Sequence, residues 1–195
     1  MRHIACLLVL LCVCTFAAAQ GLPSDSLQKG TWDFGVSGTG GTTVSGGVED
    51  IQIFSVGLRA GRILTNEHGS GWYRGNLEWA FDFHPVNLYF TPLQTTYGAS
   101  ITPLNGKWNF TSGKRIAPYI QFGSGVLFTN HDLPFPNTSE VNFQSSVGIG
   151  FHFFHREKRA WTGEFKYQHI SSAGLGNLNP GMNTLQFTVG YNWFK

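Results

Sequence analysis

From residue 32 to the C-terminus, apolar residues alternate with polar or small ones, in segments separated by clusters of Gly, Asn, Pro and Asp. Successive side chains of a strand point to opposite faces, so each segment predicts a strand with one apolar and one polar face. Strand one sets Trp32, Phe34 and Val36 against Asp33, Gly35 and Ser37. Strand two sets Phe54, Val56, Leu58 and Ala60 against Ser55, Gly57, Arg59 and Gly61. The third has the clearest alternation, with Tyr73, Leu77, Trp79, Phe81 and Phe83 opposing Arg74, Asn76, Glu78, Asp82 and His84. In the fourth the alternation is faint, carried by Tyr97, Ala99 and Ile101. Strand five turns Ile120, Phe122, Val126 and Phe128 away from Gln121, Gly123 and Gly125, and strand six turns Phe143, Val147, Ile149, Phe151 and Phe153 away from Gln144, Gly148 and His152. Strand seven opposes Trp161, Phe165 and Tyr167 to Thr162, Glu164, Lys166 and Gln168, and strand eight opposes Leu185, Phe187, Val189, Tyr191 and Trp193 to Gln186, Thr188, Gly190 and Asn192.

Eight such strands, apolar on one face and small or polar on the other, predict an all-β, eight-stranded antiparallel transmembrane β-barrel whose apolar face meets lipid. Closure follows because lipid cannot satisfy the open edge of a sheet. A soluble β-sandwich also alternates, but it carries a charged exterior. Here the polar face holds Gly, Ser, Gln and Asn with sparse charges of both signs, which suits the packed lumen of a narrow barrel. Composition agrees: 12% of residues are charged, where a soluble domain has about a quarter. An even strand count puts both termini on the periplasmic side. Connections 38–50, 84–95, 129–141 and 170–183 are then expected to face outward, and 64–71, 103–115 and 154–160 to be periplasmic turns.

The N-terminus changes the picture of where this barrel resides. Arg2 and His3 precede an apolar run ending at Phe16, and Ala17, Ala18 and Ala19 follow. This predicts a signal peptide over 1–19, removed to leave one barrel domain over 20–195 in a Gram-negative outer membrane. Cys6, Cys12 and Cys14 all leave with it, so the mature chain has no thiol for a disulfide, a nucleophile or a metal. The formal net charge is +2, and the Arg156–Arg159 turn is the one short basic stretch, so nucleic acid is not an expected partner.

One lipid-facing row departs from the rule. Counting strand seven by twos gives Trp161, Gly163, Phe165, Tyr167, His169 and Ser171, and counting strand eight back from Val189 gives Phe187, Leu185 and Asn183. His, Ser and Asn therefore share the lipid face at the outer rim of two neighbouring strands. An ionisable group at membrane depth is a functional candidate; the plain alternative is a rim histidine meeting lipid phosphates. Residues i and i+2 of a strand stand about 7 Å apart on one face, close enough for an imidazole to take a proton from a hydroxyl. An asparagine oxygen can hold the other ring nitrogen, as in cysteine proteases, although it brings no charge.

The stretch Phe165, Tyr167, His169, Ser171, Ala173, Gly174, Asn179, Pro180, Gly181 resembles the active-site segment of the lipid A 3-O-deacylase family, also called acyloxyacyl hydrolases. The specific likeness covers the last thirty or so residues, and the rest of the barrel matches by pattern. The resemblance implies His169 as base and Ser171 as nucleophile, with oxyanion donors on the backbone around Gly174 and the side chain of Asn179. Two positions depart from the family pattern: Ser172 stands where an asparagine usually follows the serine, and Asn183 where the triad glutamate stands.

Two functions follow from different classes: a serine esterase acting on lipid A, or a non-catalytic barrel of the same descent that contacts lipopolysaccharide. An acyltransferase barrel is a weaker third. The expected partners are lipid A in the outer leaflet and the outer-membrane assembly machinery, which would read the terminal aromatics Tyr191, Trp193 and Phe194; self-association stays open. No cofactor or metal is implied: His152 is expected in the lumen and His155 in a turn. The sequons at Asn109 and Asn137 are expected to be coincidental, and the Gly-rich run from Gly38 to Gly47 to be a mobile outer loop.

Overall fold

The computed structural model describes residues 23–195. The predicted signal peptide and its cleavage point lie outside the described residues. A short helix, α1 (Pro23–Ser26), precedes eight strands: β1 (Trp32–Val44), β2 (Gln52–Ile63), β3 (Gly75–Phe90), β4 (Thr95–Phe110), β5 (Ile116–Leu133), β6 (Ser139–Arg156), β7 (Arg159–Ser171) and β8 (Met182–Phe194). Each strand pairs antiparallel with the next, and β8 closes on β1 with Val36 opposite Tyr191 and Val44 opposite Asn183. The expected eight-stranded antiparallel barrel is therefore formed, with no free sheet edge.

The strands are longer than the alternation suggested, and bulges explain much of the difference. On β4 the pairing with β5 slips between Ile101 and Leu104, so the outward row passes from Ile101 to Leu104, Trp108 and Phe110. An extra residue in one strand reverses the parity of everything beyond it. The period of two dissolves at that point in the sequence, and the expected turn 103–115 contracts to 111–115. A second slip between His84 and Asn87 carries β3 on to Phe90, where a loop from 84 was expected. Gly38, Gly40 and Gly41 lie within β1 rather than in a mobile loop, leaving 45–51 as the connection. Tyr73 sits in a single 3-10 turn, Gly71–Tyr73, before β3 begins.

The lumen is layered. At the terminal end, which holds α1 and the last residues of β8, Leu27, Ile63, Ala117, Phe154, Ala160 and Phe194 form an apolar plug. Leu27 is tied in by Asn76, whose side-chain amide donates to the Leu27 carbonyl. At the far end Ile51, Ile53, Tyr89, Leu127, Leu133, Ile170 and Met182 form a second plug. Between them lies an ionic middle. Arg59 pairs with Asp33 at 3.3 Å, Glu78 at 3.0 Å and Asp82 at 3.1 Å, and Lys107 reaches Asp33 at 3.3 Å and Glu78 at 3.0 Å. Charges so buried persist only when each is paired and hydrogen-bonded. A relay completes the set: the Lys107 ammonium donates to His152 Nε2 (3.1 Å), His152 Nδ1–H to the Thr162 hydroxyl (2.8 Å), Thr162 to Asn192 (2.6 Å) and Asn192 to Asp33 (2.6 Å). His152 is thus the satisfied lumen histidine expected. His155 faces outward at the end of β6, 3.1 Å from the Tyr191 hydroxyl, so the two rings lie on opposite faces of the sheet. Asn109 is fully buried in the lumen and donates to Glu78, which removes it as a glycosylation site.

Candidate active site

The far ends of β7 and β8 carry the row singled out by parity. His169 is exposed on the outer surface of the barrel, directly across from Asn183 on β8 and from Ser145 on β6. Its Nδ1 lies 2.7 Å from Asn183 Oδ1, while Asn183 Nδ2 donates to the Gly46 carbonyl at 2.8 Å. The second bond decides the first. With its nitrogen committed to Gly46, the amide can present only oxygen to the ring, so Nδ1 carries the proton and donates. Nε2 is left with its lone pair, the tautomer a general base requires.

Three glycines shape this corner. Gly46 has φ +98°, and a side-chain carbon there would stand 2.9 Å from the Asn183 amide nitrogen. One on Gly47 would stand 2.9 Å from the Gly181 carbonyl oxygen, and Val48 N–H donates to that same oxygen at 3.1 Å. The 45–51 connection is therefore seated on the start of β8. Gly181, at φ +64°, lies against the imidazole: a methyl there would be 3.1 Å from His169 Cε1 and 3.7 Å from Nε2. Gly181→Ala should consequently push the ring by a few tenths of an ångström and place an L-residue in the left-handed region, at about 1 kcal/mol. The expected result is a roughly tenfold lower kcat with little change in KM, read from initial-rate kinetics beside a thermal unfolding curve.

Ser171 ends β7, half-buried and opposite Phe143. It shares the outward face with His169, but among the described residues no hydrogen bond joins the two side chains, so the hydroxyl is free to rotate. Beyond it the chain turns tightly. Ala173 and Gly174 have φ of 50° and 84°, and Leu175 N–H donates to the Ser172 carbonyl at 3.1 Å, a type I′ turn. Gly174 is exposed at the apex of that turn. Asn179 points its Oδ1 at Ser172, accepting from its N–H at 3.0 Å and its hydroxyl at 3.1 Å. The asparagine expected to act on an oxyanion instead braces, through its Oδ1, the backbone just after Ser171, which leaves its Nδ2 as the atom that could donate elsewhere. Leu178 N–H bonds the Asn137 carbonyl at 3.0 Å, docking this loop on the neighbouring 134–138 connection.

Sequence reasoning missed Gly46 and Gly47, because their partners lie more than 130 positions away in the chain. It also passed over Ser145, a lipid-facing hydroxyl opposite His169 that ordinary alternation does not mark. Among the described residues no group of three or more His, Cys, Asp or Glu could hold a metal ion.

A family model for lipid A 3-O-deacylase (PagL) matches residues 54–192, which run from β2 into β8 and include His169, Ser171, Gly174, Asn179, Gly181 and Asn183. The chain belongs to the lipid A 3-O-deacylase family. Gly46 and Gly47 lie before the start of that match. No curated protein matches the chain. Among solved structures the outer membrane enzyme PagL is similar with 21% identity and a TM-score of 0.62, covering 80% of this chain and 97% of its own. Neisserial surface protein A, at 15% identity and a TM-score of 0.61, covers 85% and 99%. The N-terminal β-barrel domain of Pseudomonas aeruginosa OprF, at 14% identity and a TM-score of 0.50, covers 85% and 98%. An enzyme and a surface protein score almost alike, so these likenesses establish the barrel and leave the chemistry to the family match and the site. The protein is an outer-membrane barrel of a hydrolase family.

Proposed function

We propose that this chain is a serine esterase that removes the 3-O-linked hydroxyacyl chain of lipid A. The observation that carries the proposal is the hydrogen-bonded pair His169–Asn183, oriented by Gly46 on the lipid-facing surface two residues from Ser171. With the end that holds α1 and the last residues of β8 facing the periplasm, the opposite end of the barrel stands in the outer leaflet, where the substrate's ester and its acyl chain can reach the site without leaving the bilayer.

In the proposed reaction Ser171 Oγ attacks the ester carbonyl carbon as its proton passes to His169 Nε2. The carbonyl oxygen becomes an oxyanion, for which the Gly174 backbone N–H and Asn179 Nδ2 are the proposed donors. Collapse breaks the bond to the sugar oxygen, which takes the proton from His169, and an acyl-serine remains. Water, deprotonated by the same nitrogen, then attacks the acyl carbon, and the bond to Ser171 Oγ breaks as that oxygen takes the proton back from His169, releasing the hydroxy acid. Asn183 is a positioning residue here: it keeps the ring turned and the tautomer correct, without a counter-charge for the imidazolium.

Expression in a Gram-negative host whose lipid A keeps its 3-O-linked chain tests this by mass spectrometry of extracted lipid A. The expected spectrum shows loss of one hydroxyacyl group, with the protein folded in the outer membrane as judged by altered gel mobility on boiling. An unchanged lipid A beside a folded barrel would overturn the esterase and favour the non-catalytic, lipopolysaccharide-contacting alternative, for which the amide at Asn183 is the supporting feature. The assembly machinery remains a proposed partner. Tyr191 and Trp193 face outward on β8, while Phe194 is buried in the terminal plug.

A further inference from the structure

The ends of the barrel carry opposite charge. The far-end connections 45–51, 91–94, 134–138 and 172–181 contain Glu49 and Asp50 and no Lys or Arg, and the adjoining strand ends add Asp132 and Glu140. At the terminal end the cations gather. The β4–β5 turn supplies Lys114 and Arg115, and the β6–β7 turn with its flanking strand ends supplies Arg156, Lys158 and Arg159 with one carboxylate, Glu157. These join into one arc: Phe154 N–H bonds the Arg115 carbonyl at 2.8 Å, Arg159 pairs with Trp193, and Phe194 N–H bonds the Lys158 carbonyl at 2.9 Å. Lys195 continues the arc to Trp32 on β1 through a pair of backbone bonds, and Arg62 on β2 lies 5.2 Å over the Trp32 ring. Among the described residues none of these cations is in a salt bridge; the side-chain carboxylates at this end are Glu67, paired with Arg74 at 3.7 Å, Glu157, and Asp25 on α1, so cations remain in excess.

Just inside the arc lies an aromatic belt. Trp161, Tyr191, Trp193 and the His155 ring are in edge or tilted contact on the outer surface, with centroids 4.9 to 6.5 Å apart. All six tryptophans of the chain fall in this half of the barrel, five on the outer residues of strands or in the 3-10 turn and Trp79 opposite Arg62. Aromatic rings seat at the headgroup level of a bilayer, and cations beyond them meet the phosphates.

We infer that the arc from Lys114 to Arg62 is a binding surface for the phosphodiester headgroups of anionic glycerophospholipids in the leaflet at the terminal end. It is a second lipid-recognition surface, chemically unlike the acid-rimmed end where the ester site lies, and it stands independently of the catalytic proposal. The headgroup phosphates neutralise a rim that otherwise repels itself, while the belt holds the glycerol level.

The tryptophans make the test local. The full mature barrel is reconstituted in bilayers containing brominated phosphatidylglycerol or brominated phosphatidylcholine, and quenching of tryptophan fluorescence gives the relative binding of each lipid. Phosphatidylglycerol is expected to bind about fivefold more strongly at low salt, and the preference should fall toward one in 0.5 M NaCl. Arg115→Gln, Arg156→Gln and Arg159→Gln together should abolish it, with folding checked by gel mobility, whereas Glu49→Gln with Asp50→Gln should leave it. Equal quenching by both lipids in the unaltered protein overturns the inference, as does a preference that resists salt or survives the triple variant. The salt series on the unaltered protein decides the matter even where the triple variant does not fold.

Discussion

Replacing Ser171 by alanine is expected to lower hydroxyacyl release by at least about a thousandfold while leaving the barrel intact. The side chain is half-buried at the last residue of β7 and makes no hydrogen bond among the described residues, so its removal should change stability by no more than about 0.5 kcal/mol. The rate should collapse because no other group then forms the acyl intermediate. The measurement is the initial rate of release from purified lipid A in detergent, normalised to the heat-modifiable fraction of each preparation. A variant keeping a tenth of the rate would remove Ser171 from the mechanism. Ser145, the hydroxyl across from His169, would be the next to replace.

The outward placement of this row was legible in the sequence because β7 is free of bulges from Trp161 to Ser171, so one parity count holds from the terminal rim to the far one. The same count fails on β4, where the slip after Ile101 moves the apolar positions from odd to even numbers. Local alternation therefore records which face a residue takes only as far as the next bulge. The plugged lumen was hidden differently: Ile53, Leu127, Ile170 and Met182 obey the inward parity, but their apolar character reads as noise on a polar face until closure brings them together. The pairing of His169 with Asn183 could be inferred from strand register alone. What turns the amide could not, since Gly46 is supplied by a connection on the opposite side of β8, through the closure of β1 on β8.

That glycine determines how Asn183 variants should behave. Asn183→Ala removes the acceptor at 2.7 Å from Nδ1 and frees both ring orientation and tautomer. Losing such a supporting partner should cost about a hundredfold in kcat with KM little changed. Asn183→Asp separates orientation from charge. It retains an oxygen toward the ring and adds a negative charge to stabilise the imidazolium that forms as Ser171 attacks. It also replaces the N–H given to the Gly46 carbonyl by a second oxygen, so two acceptors face each other where a 2.8 Å hydrogen bond stood. Gly46 is exposed in a seven-residue connection, so the loop can back away, and the lost bond should cost about 1 kcal/mol of stability rather than rate. In a serine protease, exchange of the triad acid for its amide costs about four orders of magnitude, part of it through the wrong tautomer. Here Gly46 already enforces the right tautomer, so the charge alone is left to gain, and about a tenfold rise in kcat is expected for Asn183→Asp, accompanied by a lower melting temperature. Parallel kcat and thermal unfolding measurements check both signs. An aspartate variant that melts lower yet runs no faster would show that the imidazolium needs no counter-charge in this site; an alanine variant as fast as the unaltered protein would show that Asn183 does not position His169 during turnover.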